Sequence, residues 1–234
     1  MIKIENVDVV GWESAIRGMR NPMNSWHKSD SYYHCEIEEG VESCEECQWC
    51  PNPNDKHLVV GNNDLNLMKN LIKAGSEHSK FMRMIHVSAD FIMPRYWWSE
   101  ADTYHFHTKN STSTMHKLLN NPNPITKDLF ITCEEDDDVL SFVIERLELL
   151  RQSYRATNDY DEQTELLVRA KRLLPEGFLQ LRTLDTNYAE LRNIRFQRHS
   201  HRLSEEWVDT FCRWIDTLPY SELITDDFKQ SEVE

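Results

Sequence analysis

Glycine is too scarce in this chain to build the backbone cradle of a phosphate-binding loop. Only six glycines occur in 234 residues, and no GxxxxGK[ST] or GxGxxG run appears among them. A small anion held by a few local arginines fits that limit. A longer anion fits it badly. The formal net charge is −14, and an acidic protein of this size repels a nucleic-acid backbone unless its basic residues cluster. No basic run is visible, so no nucleic-acid polymer is expected as a partner. The acid excess gathers around Glu36–Glu46 and Glu134–Asp138, and both read as solvated loop. No apolar stretch reaches the roughly 18 residues of a membrane span, so no membrane is expected as a partner. The N-terminal MIKIENVDVV lacks the layout of a signal peptide, which points to a cytoplasmic protein with reduced cysteines.

The length suits one sizeable domain or a core domain with an insertion. Residues 1–27 read as a strand and then a helix that Pro22 ends or bends. Residues 28–61 are loop-like and too long to lack a purpose or a tether. Residues 63–74 form an amphipathic helix on Leu65, Met68, Leu71 and Ile72. Asn62, Asn63 or Asp64 offers its N-cap, and Gly75 its C-cap. Residues 81–93 alternate as a strand, with Phe81, Ile85, Val87 and Ala89 on one side. Further helices are expected at 139–155, 160–174 and 186–202. Ser204 would cap a last one, striped by Trp207, Val208, Phe211, Cys212, Ile215 and Leu218. The class is α+β with helices dominant: a single domain over 1–225, a Cys-containing insertion at 28–61 and a flexible tail at 226–234.

The helix at 186–202 is odd. At about 100° per residue, Asn187, Leu191, Ile194 and Arg198 fall within about 60° of one another. Leu191 and Ile194 mark that face as inward. Asn187 and Arg198 are then expected on the buried side, where an unpaired amide or guanidinium is costly. Either a structural carboxylate or an anionic, hydrogen-bonding ligand satisfies them.

Two segments resemble the flavin-dependent thymidylate synthases, the ThyX family. In residues 77–118, Glu77-His78 with Phe81, His86-Val87 and Arg95-Tyr-Trp-Trp98 follow the family's order. The end of its RHRxxSxNExSxRY signature survives at Asn110 and Ser113, with Thr108 for Ser and His116 for Tyr. In residues 171–207, the spacing of Pro175, Asn187, Asn193 and Arg198 is similar to the family's nucleotide-binding helix, and Lys171 stands where an Arg is usual. The resemblance implies a ThyX-like fold, a mixed antiparallel sheet packed against several helices. It implies one-carbon transfer to C5 of a pyrimidine deoxynucleotide, dUMP or a relative, with FAD as cofactor, methylene-tetrahydrofolate as donor and a homotetrameric assembly. Arg198 would be catalytic, pairing with the base. Arg95, Asn110, Ser113 and Lys171 would join it in holding the nucleotide. His78, His105, Asn187 and Asn193 would line the cofactor. The same resemblance leaves open an inactive relative that only binds nucleotide, or a different C5 modification.

The departures are local. Where the family has RHR, this chain has Thr103-Tyr104-His105, and a short insertion precedes Asn110. A neutral histidine cannot replace an arginine fork against a diphosphate. Either other cations take over, with Arg17, Arg20, Arg95 and Lys109 as candidates, or the flavin site is reshaped or lost.

Cys44, Cys47 and Cys50 form C-x2-C-x2-C, with Cys35 upstream. A structural zinc held by these four thiolates would order the long loop, and a zinc-stabilised interaction surface is a third functional reading. Reduced loop cysteines are the alternative. His105 and His107 alternate and would face one way, for a metal, a nucleotide or simple packing. Trp97 and Trp98 read as core or as a stacking platform, and Cys133 and Cys212 as structural.

Overall fold

The computed structural model describes residues 1–35 and 56–227, apart from the side chains of residues 34, 35, 56 and 57. The chain runs β1 (Lys3–Val10), α1 (Trp12–Arg20), β2 (Tyr32–Cys35), β3 (Lys56–Val59), α2 (Asn62–Lys73), β4 (His86–Pro94), α3 (Arg95–Ala101) and β5 (Thr108–Ser111). It continues with α4 (Thr114–Lys117), α5 (Asp137–Ala156), α6 (Tyr160–Leu173), β6 (Leu179–Asn187), α7 (Tyr188–Arg198), a π-helix (Ser204–Cys212), α8 (Arg213–Asp216) and α9 (Glu222–Thr225). A four-stranded sheet has the order β1-β4-β6-β5, with β5 antiparallel to β6 and Asn110 opposite Thr183. The α+β class is as expected. Two compact units emerge from the 1–225 span. One comprises Met1–Asp8, Ser88–Asp185 and Ser200–Trp214. The other comprises Val9–Val87, Thr186–His199 and the chain from Ile215 on.

The first unit is built on alternation. Ala89, Phe91 and Met93 of β4 are buried. On the other face Ser88 donates to Asp185 at 2.8 Å, and Asp90 accepts from Asn6 at 2.8 Å and Thr183 at 2.5 Å. These bonds tie three strands of one polar face. Trp97 and Trp98 are fully buried among Phe91, Trp207, Phe211 and Trp214, so they are core and not a stacking platform. Each ring of that size withdraws ~150–250 Å² from water, on the order of 5 kcal/mol before entropy is counted. A second cluster joins α5 and α6 through Leu140, Leu147, Leu150, Leu166 and Ala170.

The second unit packs α1 through Trp12, Ala15, Ile16 and Met19. Arg20, at the end of α1, donates from Nε to Asp64 Oδ1 at 2.6 Å, and both side chains are buried. Asp64 also accepts from the hydroxyls of Ser29 and Ser31, each at 2.6 Å. One carboxylate thus pins the segment after α1 to the first turn of α2. The cap of α2 also comes from that segment: Asp30 accepts from the N–H groups of Asn63 and Asp64 at 2.8 and 3.1 Å. The three local side chains expected to cap this helix do not do so. Gly75 follows its end with φ +108°, as a C-terminal glycine should.

Gly11 holds φ +95°, and a Cβ there would lie 1.9 Å from the carbonyl oxygen of Met84. Gly11→Ala should therefore lower unfolding stability by at least ~2 kcal/mol, since left-handed strain and a backbone clash coincide. A urea titration showing an unchanged midpoint would contradict this.

Several expected boundaries move. The strand expected from residue 81 begins at His86, because Phe81 and Met82 are buried from a 3-10 turn over Lys80–Met84. β6 has a weak sequence signal, since the leucines of LQLRTLDTN at 179, 181 and 184 break strict alternation and the other six residues are polar. Its discovery makes Thr186 and Asn187 the end of a strand and shortens the helix expected at 186–202 to Tyr188–Arg198. The ends of the 28–61 stretch are not loop: β2 and β3 pair antiparallel, Tyr32 opposite Val59. The last helix is mostly π, and Ser204 is its first residue, not its cap. Among the described residues, no helix is long and apolar enough to cross a membrane.

Candidate functional site

Lys171 lies in the last turn of α6 and is partly buried. Its ammonium donates to the Thr114 hydroxyl at 2.5 Å. Burial, and then the nearby charge of Arg95, push its pKa below the ordinary lysine value. Arg95 opens α3. Its guanidinium donates to the Leu174 carbonyl at 3.4 Å and pairs with Glu176 at 3.1 Å. Ser113 caps α4, its oxygen accepting from His116 N–H at 3.2 Å, which leaves the hydroxyl proton to donate elsewhere. Three of the residues expected to hold a nucleotide, Arg95, Ser113 and Lys171, therefore gather in the first unit. Among the described residues the hydrogen-bond partner of Lys171 is a neutral hydroxyl. A partly desolvated ammonium without a counter-anion suits a phosphate or carboxylate. Thr114 was not singled out in the sequence; its adjacency to Ser113 was the available signal. Asn110 stands on β5 with an exposed side chain, outside this cluster of contacts.

The Thr103-Tyr104-His105 triplet does not form a diphosphate clamp. Thr103 spends its hydroxyl on the Glu100 carbonyl at 2.7 Å, and Tyr104 is buried against Trp207. His105 is exposed. The nearest substitutes are occupied: Lys109 and Arg182 both pair with Asp102. Burial opposes ionisation of that carboxyl, but Lys109 and Arg182 outweigh it and hold its pKa below the ordinary value. Asp102 cancels one of these two positive charges and the triplet adds none, so one net positive charge would face the two negative charges of a diphosphate, and these residues fit the phosphates of FAD poorly.

In the second unit, Leu191 and Ile194 of α7 are buried as expected. Asn187 does not lie on the inward face of the helix. It caps α7, with Oδ1 accepting from Glu190 N–H at 3.0 Å. The strand continues to Asn187, so the residue sits before the helix and not on its face. Asn193 is exposed and accepts from Gln197 at 2.8 Å. Arg198 ends α7 half-buried, not on the fully buried side. His78 is exposed in a turn. Among the substitute cations, Arg20 is locked to Asp64 and Arg17 is exposed on α1.

Cys44, Cys47 and Cys50, and the side chain of Cys35, lie outside the described residues. Among the described residues, no group of three or more His, Cys, Asp or Glu side chains could hold a metal ion. His107 is partly buried, and burial followed by the charge of Lys109 lowers its pKa. Cys212 is buried as expected of a structural residue, whereas Cys133 is exposed.

No protein-family model matches the sequence, and no curated protein matches it. Solved structures do. Thymidylate synthase X from Helicobacter pylori, in a crystal structure with FAD and dUMP, superposes with a TM-score of 0.66 at 15% identity, over 98% of this chain and 100% of that one. A second structure of the same enzyme, complexed with FAD and dUMP, gives 0.64 at 16% identity, over 94% and 98%. At that identity the likeness establishes the fold: this chain has the ThyX fold over nearly its whole length.

Proposed function

We propose, from that fold, that the chain binds a pyrimidine deoxynucleotide, dUMP or a relative, and transfers a one-carbon unit to C5 of its base. The observation that carries the nucleotide is the Lys171 ammonium, held by Thr114 next to Ser113 and lacking an anionic partner among the described residues. Lys171 and Ser113 hold the phosphate, with Arg95 adding positive potential. The resemblance names Arg198 for the base, a part that the phosphate residues of the first unit do not test; a guanidinium on a ring carbonyl withdraws density from C5. Methylene-tetrahydrofolate is the proposed donor and a homotetramer the proposed assembly. Delivery of the unit as a methyl group needs a hydride beyond the methylene donor, and the Helicobacter pylori structures hold FAD. No step is routed through a flavin here, because the Thr103–His105 triplet does not fit its phosphates.

That misfit supports a second reading, a relative that binds the nucleotide without turning it over. Two titrations separate them. At a hundredfold excess over Kd, dUMP should raise the melting temperature by roughly 5–10 °C under either reading. FAD uptake, seen as a yellow flavin spectrum on the purified protein, belongs only to the first. Absence of any dUMP-dependent shift would remove both.

A further inference from the structure

A cavity of about 450 Å³ lies in the first unit beside the phosphate cluster, lined among others by Thr114, Lys117, Asn123, Ile125, Leu129 and Phe178. Most of its surface area is apolar, and Lys117, itself exposed to solvent, contributes a cation with no partner among the described residues. One wall is the segment Asn120–Ile125, NNPNPI, which has no regular secondary structure. That wall is held from behind by α5. Arg151 donates through Nη1 to the carbonyls of Asn121 at 2.8 Å and Pro122 at 3.4 Å. Its Nε and Nη2 grip Glu148 at 2.7 and 2.6 Å. Glu148 in turn accepts from the Ile125 N–H at 3.0 Å, and Arg155 donates to the Asn120 carbonyl at 3.0 Å.

Arg151 is only 8% exposed. A buried guanidinium–carboxylate pair is weak as a stabilising device, since apolar residues of similar volume serve as well or better. What the pair does here is fix the shape of a largely exposed loop, by taking the backbone groups of Asn121, Pro122 and Ile125 in place of water. The hydrogen bonds from Arg151 outweigh burial and, with the Ile125 amide, pull Glu148 to about 2, so the clamp stays charged at any physiological pH. A preformed, mostly apolar cavity with one cation in its lining suits a flat apolar body with one negative charge.

We propose that this cavity is a second ligand site, taking a planar aromatic ring that carries a single anionic group, and that Glu148 and Arg151 are its positioning residues. The cavity shares Ser113 and Thr114 with the proposed nucleotide site and is told from it by its cation, Lys117 in place of Lys171.

The probe is 8-anilinonaphthalene-1-sulfonate, an aromatic anion whose fluorescence reports binding, titrated with and without saturating dUMP. Lys117→Ala and Asn123→Trp, the second filling the cavity from an exposed position, should each weaken the probe about tenfold, the worth of one charge-assisted contact or one excluded ring. Both should leave the melting temperature and dUMP binding unchanged. Arg151→Met should weaken the probe and speed amide exchange at Ile125. If Lys117→Ala and Asn123→Trp both bind the probe within twofold of the parent, the site does not exist. If dUMP displaces the probe, the cavity belongs to the nucleotide and the proposal fails. Lys171→Ala acts on the other assignment: it should weaken dUMP and spare the probe.

Discussion

Lys171→Ala should weaken dUMP binding ten- to hundredfold, about 1.5–3 kcal/mol, the usual worth of a hydrogen bond to a charged group. The size of the effect follows from the setting. The ammonium is already partly desolvated, so a bound phosphate recovers more attraction from it than from a surface lysine. Thr114 fixes the direction of the ammonium, and Thr114→Val should cost less than loss of the charge itself. Isothermal titration calorimetry with dUMP reads both. Parent-like affinity in Lys171→Ala would place the phosphate elsewhere, whatever the fold.

The largest stability effect is expected at Asp64. Asp64→Ala should lower the unfolding free energy by about 3–5 kcal/mol, because it strands the buried guanidinium of Arg20 without its counter-charge. The two serine hydroxyls that donate to the same carboxylate lose their acceptor at once. The double replacement Arg20→Met with Asp64→Leu should recover most of the loss, since no buried charge remains. Urea midpoints for the parent, single and double variants test this; a double variant no more stable than Asp64→Ala would refute it. The pH dependence has a definite sign. Burial opposes ionisation, but Ser29, Ser31 and Arg20 outweigh it and hold the carboxyl below its ordinary 3.8. The stabilisation is therefore fully present above about pH 4 and disappears as pH falls below that ordinary value.

The resemblance to the ThyX family was visible in fragments, at Glu77-His78, Arg95–Trp98, Asn110, Ser113 and the helix ending at Arg198. Order and spacing joined them, and the structural likeness over 98% of the chain bears out the fold they implied. The candidate site was legible as residue types and not as geometry. The resemblance points to Arg95, Ser113 and Lys171 for the nucleotide, but nothing in TSTM marks Thr114 as the partner of Lys171. An inward helix face for Asn187 follows only if the helix starts at Thr186; with its start two residues later, at Tyr188, the same side chain becomes the cap.

Local sequence by itself determined α2, α5 and α6 and the alternation of β4. Helical and strand periodicities depend on neighbours two to four residues apart, so they can be read from a short window. Tertiary structure alone decided β6, the Asp30 cap, the Asp64 clamp and the Lys171–Thr114 contact. The last two join residues 44 and 57 positions apart. In each, a polar group finds its partner only after the backbone has folded, and the cost of burying it unpaired selects that partner. No local pattern encodes a choice made at that distance.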